Sequence, residues 1–273
     1  MTVINTNVGA LVARVHANRA TNGMEKHMER LSSGLRINRA ADDAAGLAVA
    51  SKMTAQLKGI NMAIRNSQDG ISLIQTAESA MSEIMNMVTR LRELSVQMHN
   101  GIYTTADRTN ANLESTQLLA EITKITDYTT FNNVTLLDGS YSSEIRAGNT
   151  NSEVMTVTIS DIGITNLATG LHSISLLTST DASDAVTILD TAIENLAQHQ
   201  ATLGAKLNRL EHNISYLSNA SVLTEQARGR IVDADFAAES TNLAKQQILN
   251  NASTAMLAQA NQSKGSLMQL ISG

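Results

Sequence analysis

Apolar residues recur with a seven-residue period along most of the range 44–100. The positions of the seam 49–88 follow one another at alternating spacings of four and three, and only Ser67 and Glu78 among them are polar. This spacing places the residues on one side of a helix, as in helices that pack side by side in a coiled coil. A second apolar series at 73–98 indicates burial against more than one neighbour. The pattern predicts one long helix with two buried sides.

The same period returns near the other end of the chain, over the range 183–230. Its apolar positions keep spacings of three and four throughout 186–221, and the only seam of similar length is 49–88. The two long helices are therefore predicted to pair in antiparallel fashion. A shorter helix is predicted at 107–128, where apolar residues line one side.

Between these helices the apolar period changes from helical to alternating. Met155 and Val157 alternate with polar residues, which is typical of a half-buried strand. The residues 147–150 before it are typical of a hairpin turn, and a further strand is predicted at 171–177. The range 130–180 is thus predicted to hold a small β-hairpin region.

The two ends of the chain carry amphipathic, Ala-rich patterns with apolar residues on two sides. Nothing nearby in the sequence can cover both sides, so we predict that these segments become helical only against other subunits. The residues predicted to be buried between subunits are Ile4, Val8, Leu11, Leu31, Leu249, Met256, Leu267 and Leu270. Asp42 or Asp43 is predicted to cap the long helix that follows the first segment.

These patterns predict a mainly α fold, a long antiparallel helical rod similar to a coiled coil, with a small β-hairpin region and paired terminal helices. Composition agrees with this fold class. Aromatic residues make up 2% of the chain and Trp is absent, so large rings cannot build a globular core. Pro is also absent, which removes a common helix stop.

Composition and motifs argue against several classes of function. The formal net charge of -5, without a basic run, argues against nucleic acid as a partner. No apolar stretch approaches the ~20 residues that a membrane span requires, and the first residues lack a secretory signal-peptide pattern. The histidines are scattered, Cys is absent and no nucleotide-binding glycine motif occurs. We therefore predict no enzymatic activity, no catalytic or metal-binding residues and no cofactor.

Several long stretches are similar to one protein family. LSSGLRIN, DDAAGLAVASKMTAQLKGIN and RLRELSVQ in the first half resemble bacterial flagellins, as do TTFNNVTLLDG before the strands and TEQARGRIVDADFAAESTNLAKQQILNNASTAMLAQANQ near the end. The match covers roughly residues 1–140 and 200–273. Only the residues from about 159 to 182 are left for an insertion, so the resemblance is to a short form that lacks the variable outer domains.

The resemblance implies a structural subunit that polymerises with copies of itself into the flagellar filament used for swimming. Residues 1–43 and 236–273 would be the N- and C-terminal helices of the inner-tube domain D0, and residues 44–235 the surrounding rod, domain D1. The family is secreted by the flagellum-specific export apparatus without a signal peptide. A secretion chaperone, the filament cap and the hook-junction proteins are thus implied as partners, and the extracellular filament as the location.

The resemblance further implies a surface for the flagellin-sensing Toll-like receptor of vertebrates. In the family, an Arg-x-Arg-Glu-Leu motif on the long helix and a Glu on the next helix carry this surface. The matching residues here are Arg90, Arg92, Glu93, Leu94 and Glu114. An Arg fork beside an apolar anchor is a common energetic centre of protein interfaces.

Two alternative functions remain open at this point. The first is the hook–filament junction protein, whose termini resemble those of flagellin but which typically lacks the full ELSVQ and ARGRI wording found here. The second, from a different class, is a soluble signalling helical bundle such as a chemoreceptor hairpin. That function would need a membrane span or a docking domain, and the sequence has no pattern for either.

Overall fold

The computed structural model describes residues 6–150 and 152–272, and of 267–272 it describes only the course of the backbone. Long helices dominate and two small antiparallel strand pairs accompany them, so the predicted fold class is confirmed. In chain order the elements are α1 (Val8–Ser33), α2 (Ala44–His99), α3 (Thr105–Tyr128), β1 (Thr130–Phe131), β2 (Val134–Thr135), β3 (Ser142–Arg146), β4 (Val154–Thr158), α4 (Ile164–Leu167), a 3₁₀-helix (Leu171–Ser173), α5 (Ser179–Val232) and α6 (Phe236–Ser272).

The chain divides into two compact units. The terminal unit comprises Met1–Ala55 and Leu223–Gly273, and the central unit comprises Gln56–Val222. Both α2 and α5 contribute residues to each unit. The division predicted from the sequence, at 43/44 and 235/236, stays a prediction.

The central unit is organised around one apolar core to which α2, α3 and α5 all contribute. Ile84 and Leu91 of α2, Ile122 of α3 and Leu189 of α5 have no solvent-exposed surface. Each such side chain contributes about 1.5–3 kcal/mol when it is removed from water. The heptad seams seen in the sequence are therefore the inner faces of packed helices.

α2 and α5 pack in opposite directions. Near the end of α2, the Arg92 Nε atom donates to Asp190 Oδ1, close to the start of α5, at 2.5 Å. Earlier in α2, Ile60 packs against Leu217, which lies late in α5. The predicted antiparallel pairing of the two heptad helices is confirmed.

Two positions of the predicted α2 seam differ from the rest. Ser67 is polar yet completely buried, and its hydroxyl donates to the Ala63 carbonyl at 2.8 Å, so this hydroxyl is not left unpaired in the core. Val49, the first seam position, is exposed, and the neighbouring Ala50 is buried instead. The seam thus begins one position away from where the sequence predicts it.

The β-hairpin region contains two short antiparallel pairs. β3 and β4 pair with Ile145 opposite Met155, and Met155 and Val157 are buried as their alternation predicts. β1 and β2 are joined by Asn132 and Asn133, both with positive φ. Asn tolerates this conformation better than most residues, and two such residues in succession form a tight hairpin turn.

The strand predicted at 171–177 is wrong. Leu171–Ser173 is a 3₁₀-helix, and it follows Gly170, whose φ of 91° turns the chain. Leu176 then donates its backbone N–H to the Asn112 side chain at 2.9 Å rather than to a neighbouring strand. Leu171 and Leu176 are both fully buried, so the apolar residues reflect burial of an irregular segment.

Two glycines allow the β3–β4 hairpin to approach α2 closely. A Cβ atom on Gly70 would overlap the end of the Ile145 side chain, and one on Gly59 would overlap Asn149 Oδ1. Asn66 of α2 also donates to the Arg146 carbonyl at 3.2 Å. Glycine lowers helix stability by about 1 kcal/mol relative to Ala, so its presence here is explained by the contact with the hairpin.

In the terminal unit, the connection after α1 pairs with the connection between α5 and α6. Gly34 ends α1 in the left-handed conformation, with φ of 71°. Its carbonyl accepts from Ala234 N at 2.9 Å, and Arg36 N donates to the Val232 carbonyl at 2.7 Å. These two hydrogen bonds flank an isolated antiparallel β-bridge between Leu35 and Asp233.

The glycine contact predicts opposite effects for two Gly→Ala changes. Gly204→Ala in α5 places the methyl group in open space, so the free energy of unfolding should rise by about 0.5–1 kcal/mol. Gly70→Ala should instead displace Ile145, leaving the protein about 1–2 kcal/mol less stable than Gly204→Ala. Urea unfolding followed by circular dichroism measures both, and an equal gain in the two variants would contradict the contact.

Candidate functional site

The terminal helices α1 and α6 lie antiparallel against each other. Asn7 caps the start of α1, and its side-chain amide also donates to the Ala260 carbonyl of α6 at 3.0 Å. Near the other end of α1, His27 and Arg30 contact Glu239, close to the start of α6. The predicted pairing of the terminal helices is confirmed.

Small residues lie where the two helices approach each other. Ala13 and Ala20 are the buried residues of α1. A Cβ atom on Gly9 would lie 3.7 Å from the Ala260 Cβ, and one on Gly23 would overlap the Gln246 side chain. Because the backbones come this close, the contact has little room for large side chains, and most of these remain outside it.

The large apolar residues that the sequence assigns to a subunit interface are mostly exposed in the single chain. The exposed fraction is 56% for Val8, 58% for Leu11, 45% for Leu249 and 64% for Met256. Leu31 is half-buried. Ile4 lies outside the described residues, as do the side chains of Leu267 and Leu270, although both of these belong to α6.

Three of these residues, Val8, Leu249 and Met256, line one groove between α1 and α6 together with Val12. The groove has a volume of about 530 Å³. Val12, which is 50% exposed, is absent from the residues selected by sequence. Its position four residues after Val8 is the helical spacing that would have found it.

A cluster of charged residues fixes α1 to α6. The Glu239 carboxylate is only 8% exposed; its Oε2 atom lies 2.5 Å from His27 Nδ1, and its Oε1 accepts from Arg30 Nη1 at 3.0 Å. Burial favours the neutral form of Glu239 and is the largest single influence on the pKa of its carboxyl group. The hydrogen bonds from His27 and Arg30 together outweigh it, so the pKa of Glu239 lies below its ordinary value.

The neighbouring carboxylates have separate roles. Asp43 caps α2, as the sequence predicts, by accepting from Gly46 N at 2.9 Å. Asp42 accepts instead from Lys26 Nζ at 3.0 Å and from two backbone N–H groups of the connection before α2. The hydrogen bond from Lys26 is the main cause that lowers the pKa of Asp42.

The structure brings together part of the predicted receptor surface in the central unit. Arg90 Nε donates to Glu114 Oε1 of α3 at 2.9 Å, and Arg90 Nη1 lies 3.3 Å from Glu93 Oε2. All three side chains are exposed. Arg92 pairs with Asp190 of α5 rather than with these residues.

Leu94 lies apart from that exposed group. It is only 4% exposed and belongs to the core that α2 shares with α3 and α5. Its place in the second apolar series, which faces α3 and α5, is the physical reason. As an apolar anchor it would have to leave the core, so the described surface consists of the charged residues alone.

The described residues show no sign of a metal site or a membrane span. Within 6–150 and 152–272, no three His, Cys, Asp or Glu side chains are grouped so that they could hold a metal ion. None of the helices in that part of the chain is long and apolar enough to cross a membrane.

Long antiparallel helices, a close-packed terminal pair and exposed apolar side chains on that pair define a helical structural protein. Comparison with protein families identifies the bacterial flagellin N-terminal helical region at residues 4–142 and the bacterial flagellin C-terminal helical region at residues 186–271. The chain belongs to the bacterial flagellin family, and it is a short form because few residues separate the two regions.

Similar proteins agree over nearly the whole chain. A flagellin of Halalkalibacterium halodurans is 42% identical over 98% of this chain and 99% of its own. A flagellar filament 33 kDa core protein of Treponema phagedenis is 39% identical over the same shares. The crystal structure of Bacillus cereus flagellin is 34% identical, with a TM-score of 0.50, over 56% of this chain and 88% of its own.

The alternative functions are not favoured by these similarities. A Vibrio parahaemolyticus protein described as flagellar hook-associated superposes with a TM-score of 0.61 over 70% of this chain and 100% of its own. Its sequence identity is 11%, so this likeness concerns the fold alone. Flagellins are structural proteins and not enzymes, which confirms the prediction made from the sequence.

The environment of Glu239 predicts that acid weakens the terminal helix pair. Its folded pKa lies below the ordinary value of 4.5, so its pairing stabilises the fold above that pH and the contribution is lost as the pH falls through the folded pKa. The protection factors of amides in α1 and α6 of assembled protein, which correct for the pH dependence of intrinsic exchange, should therefore fall on acidification. Glu239→Gln should weaken protection at neutral pH, because Arg30 loses its charged partner, and should flatten the acid response.

The exposed Glu25 of α1 supplies a matched control for this change. Glu25→Gln alters the same charge on the same helix without touching the cluster, so its exchange profile should follow that of the unchanged protein. Identical acid profiles for the Glu25 and Glu239 variants would exclude the cluster as the source of the pH dependence.

Proposed function

We propose that this flagellin polymerises through the apolar side chains that its terminal helix pair leaves exposed. The chain is a structural subunit of the bacterial flagellar filament, an extracellular assembly used for motility. The observation that carries the proposal is the exposure of Val8, Leu11, Leu249 and Met256 on α1 and α6. Apolar residues concentrated on one helix pair of a soluble chain are typical of an interaction surface.

The energetics support the same surface. Full burial of one such side chain is worth about 1.5–3 kcal/mol, and several are buried at once when copies meet. The groove between α1 and α6 can accept an apolar side chain from a neighbouring subunit. Ile4, Leu31, Leu267 and Leu270 are proposed to belong to the same interface.

The terminal helices are also proposed to become ordered during assembly. Within one chain they share small residues, one charge cluster and few large buried side chains, which gives limited stability to helices of this length. Residues 1–43 and 236–273 would then act as the inner-tube domain of the filament, and residues 44–235 as the domain around it.

Further partners follow from membership of the family. We propose that the chain leaves the cell through the flagellum-specific export apparatus, without a signal peptide and with a secretion chaperone. In the filament it would meet the cap at the growing end and the hook-junction proteins at the base.

The exposed Arg90, Glu93 and Glu114 support a second role for the monomer as a ligand of the vertebrate flagellin-sensing Toll-like receptor. Arg90 is held between two carboxylates at the surface, and the hydrogen bond that it donates to Glu114 is the main cause that raises its pKa. Arg92 lies on the same helix and is partly exposed, and its guanidinium pairs with Asp190 of α5. Leu94 supports this surface from the core.

Leu11→Asp should prevent filament growth, because a carboxylate cannot be buried against a neighbouring subunit without a partner. The thermal transition of the central unit, followed by circular dichroism, should be unchanged because Leu11 does not belong to it. Leu11→Met keeps the apolar volume and should still give filaments. Seeded growth followed by electron microscopy tests the unchanged protein and both variants. Normal filaments from Leu11→Asp would show that Leu11 does not belong to the interface.

Arg90→Ala should strongly reduce signalling by soluble monomer in a receptor-reporter cell assay, because the charged fork loses its centre. Lys124→Ala removes an exposed cation from α3 and should leave signalling intact. Leu94→Ala is expected to lower the free energy of unfolding by about 2–5 kcal/mol, so it tests the core rather than the surface. A silent unchanged monomer, or equal signalling by the Arg90 and Lys124 variants, would refute the role.

A further inference from the structure

The turn between α2 and α3 holds an Asn–Gly pair in an unusual environment. Asn100 and Gly101 follow the last residue of α2 and are both exposed. Apart from Gly101 itself and its two chain neighbours, no atom lies within 4 Å of the position that a Cβ on Gly101 would occupy. More distant parts of the chain therefore do not crowd the glycine on this side, and water reaches both residues.

Two hydrogen bonds activate the reacting groups of this pair. The buried Arg108 guanidinium donates from Nη2 to the Asn100 carbonyl oxygen at 2.9 Å. That oxygen belongs to the peptide group whose nitrogen is Gly101 N, so the cation stabilises the negative charge that appears when this nitrogen loses its proton. Ile102 N donates to Asn100 Oδ1 at 3.3 Å, which makes the side-chain carbon a better electrophile.

The position of Arg108 is fixed by its second contact. Its Nη1 atom donates to the Met98 carbonyl, and the residue is 7% exposed. A guanidinium that caps the end of α2 is thus held against the Asn100–Gly101 peptide in the folded protein. An unfolded chain has no such contact.

We propose that Asn100 is a site of spontaneous deamidation that the fold promotes. The Gly101 nitrogen gives its proton to solvent base and attacks Asn100 Cγ; the bond from Cγ to the side-chain nitrogen breaks, and this nitrogen takes up a proton and leaves as ammonia. Water then opens the cyclic imide at either carbonyl, leaving an aspartyl or isoaspartyl residue. One water is consumed, one ammonia is released, and no oxidant or reductant is required.

The product changes the turn in two ways. In the isoaspartyl product the Asn100 main-chain carbonyl group, which Arg108 contacts, becomes the free carboxylate, so opposite charges attract there. The isoaspartyl form also leads the main chain between α2 and α3 through Cβ and Cγ, which adds one carbon to it. The modification therefore alters the cap at the end of α2.

The chain contains a second Asn–Gly pair that serves as an internal reference. Asn22 and Gly23 lie inside α1, where the helical geometry holds the backbone N–H in a hydrogen bond to the carbonyl four residues earlier. Gly23 also packs against Gln246 of α6. Deamidation at Asn22 should thus be slow wherever α1 is helical.

The test compares both sites in the full-length chain by peptide mapping and mass spectrometry, with fragmentation that separates aspartyl from isoaspartyl products. Filaments, folded monomer and chain unfolded in guanidinium chloride are incubated at the same mildly alkaline pH. Conversion of Asn100 should be faster in folded monomer than in unfolded chain. In the unfolded chain the two sites should convert at similar rates, and in filaments Asn22 should be the slower one.

Two variants separate the role of the cation from that of the turn. Arg108→Gln keeps a donor but removes the charge, and should slow conversion of Asn100 in folded protein about tenfold. Gly101→Ala retains Arg108 and should also slow it, by crowding the attacking nitrogen. Circular dichroism and the thermal transition confirm that each variant is folded.

Two results would overturn the proposal. One is conversion of Asn100 that is no faster in folded monomer than in unfolded chain. The other is a folded Arg108→Gln variant that converts at the unchanged rate. If Arg108→Gln does not fold, the question is decided by the protein without substitutions, through its conversion rates in the folded and the unfolded state.

Discussion

The central unit depends on two long helices that keep their apolar seams in contact over many turns. A straight α-helix has a slightly longer period than seven residues per two turns, so heptad spacing requires α2 and α5 to coil around each other. Ile84 and Leu189 remain fully buried under this constraint. The seam is then a fixed surface onto which α3 and the β3–β4 hairpin can pack, and Gly59 and Gly70 lie where the hairpin approaches α2 closely.

The terminal pair is governed by the same packing rules but with smaller side chains. Ala13, Ala20 and Gly23 allow α1 and α6 to approach closely, which buries little apolar area within one chain. The charged residues around Glu239 fix which residues of α1 and α6 meet. This effect on alignment is larger than their contribution to stability. The contact between α1 and α6 thus fixes their alignment but leaves Leu11 and Met256 exposed. This suits a subunit whose apolar residues are buried only against other copies.

Much of this fold could be predicted because helical periodicity is a local property of the sequence. The seams of α2 and α5, the hairpin around Met155 and the cap at Asp43 all follow from spacing and residue type. The irregular course of Leu171 to Leu176 could not, because it depends on Gly170 and on the hydrogen bond that Leu176 N donates to the distant Asn112. The exposed side of α1 was predicted only in part, since Val12 belongs to a groove whose other wall is α6. The burial of Leu94 follows from its apolar series, whereas the Arg–Glu motif around it suggested exposure.

The backbone bridge beside Gly34 has a mechanical consequence. Arg36 N bonds the Val232 carbonyl and Ala234 N bonds the Gly34 carbonyl, so the chain leaving α1 and the chain entering α6 form a short piece of ladder. A bond of this kind resists twisting in a way that a flexible linker does not. When a filament turns, we expect these hydrogen bonds to transmit torque from one terminal helix to the other, so that the two helices rotate together.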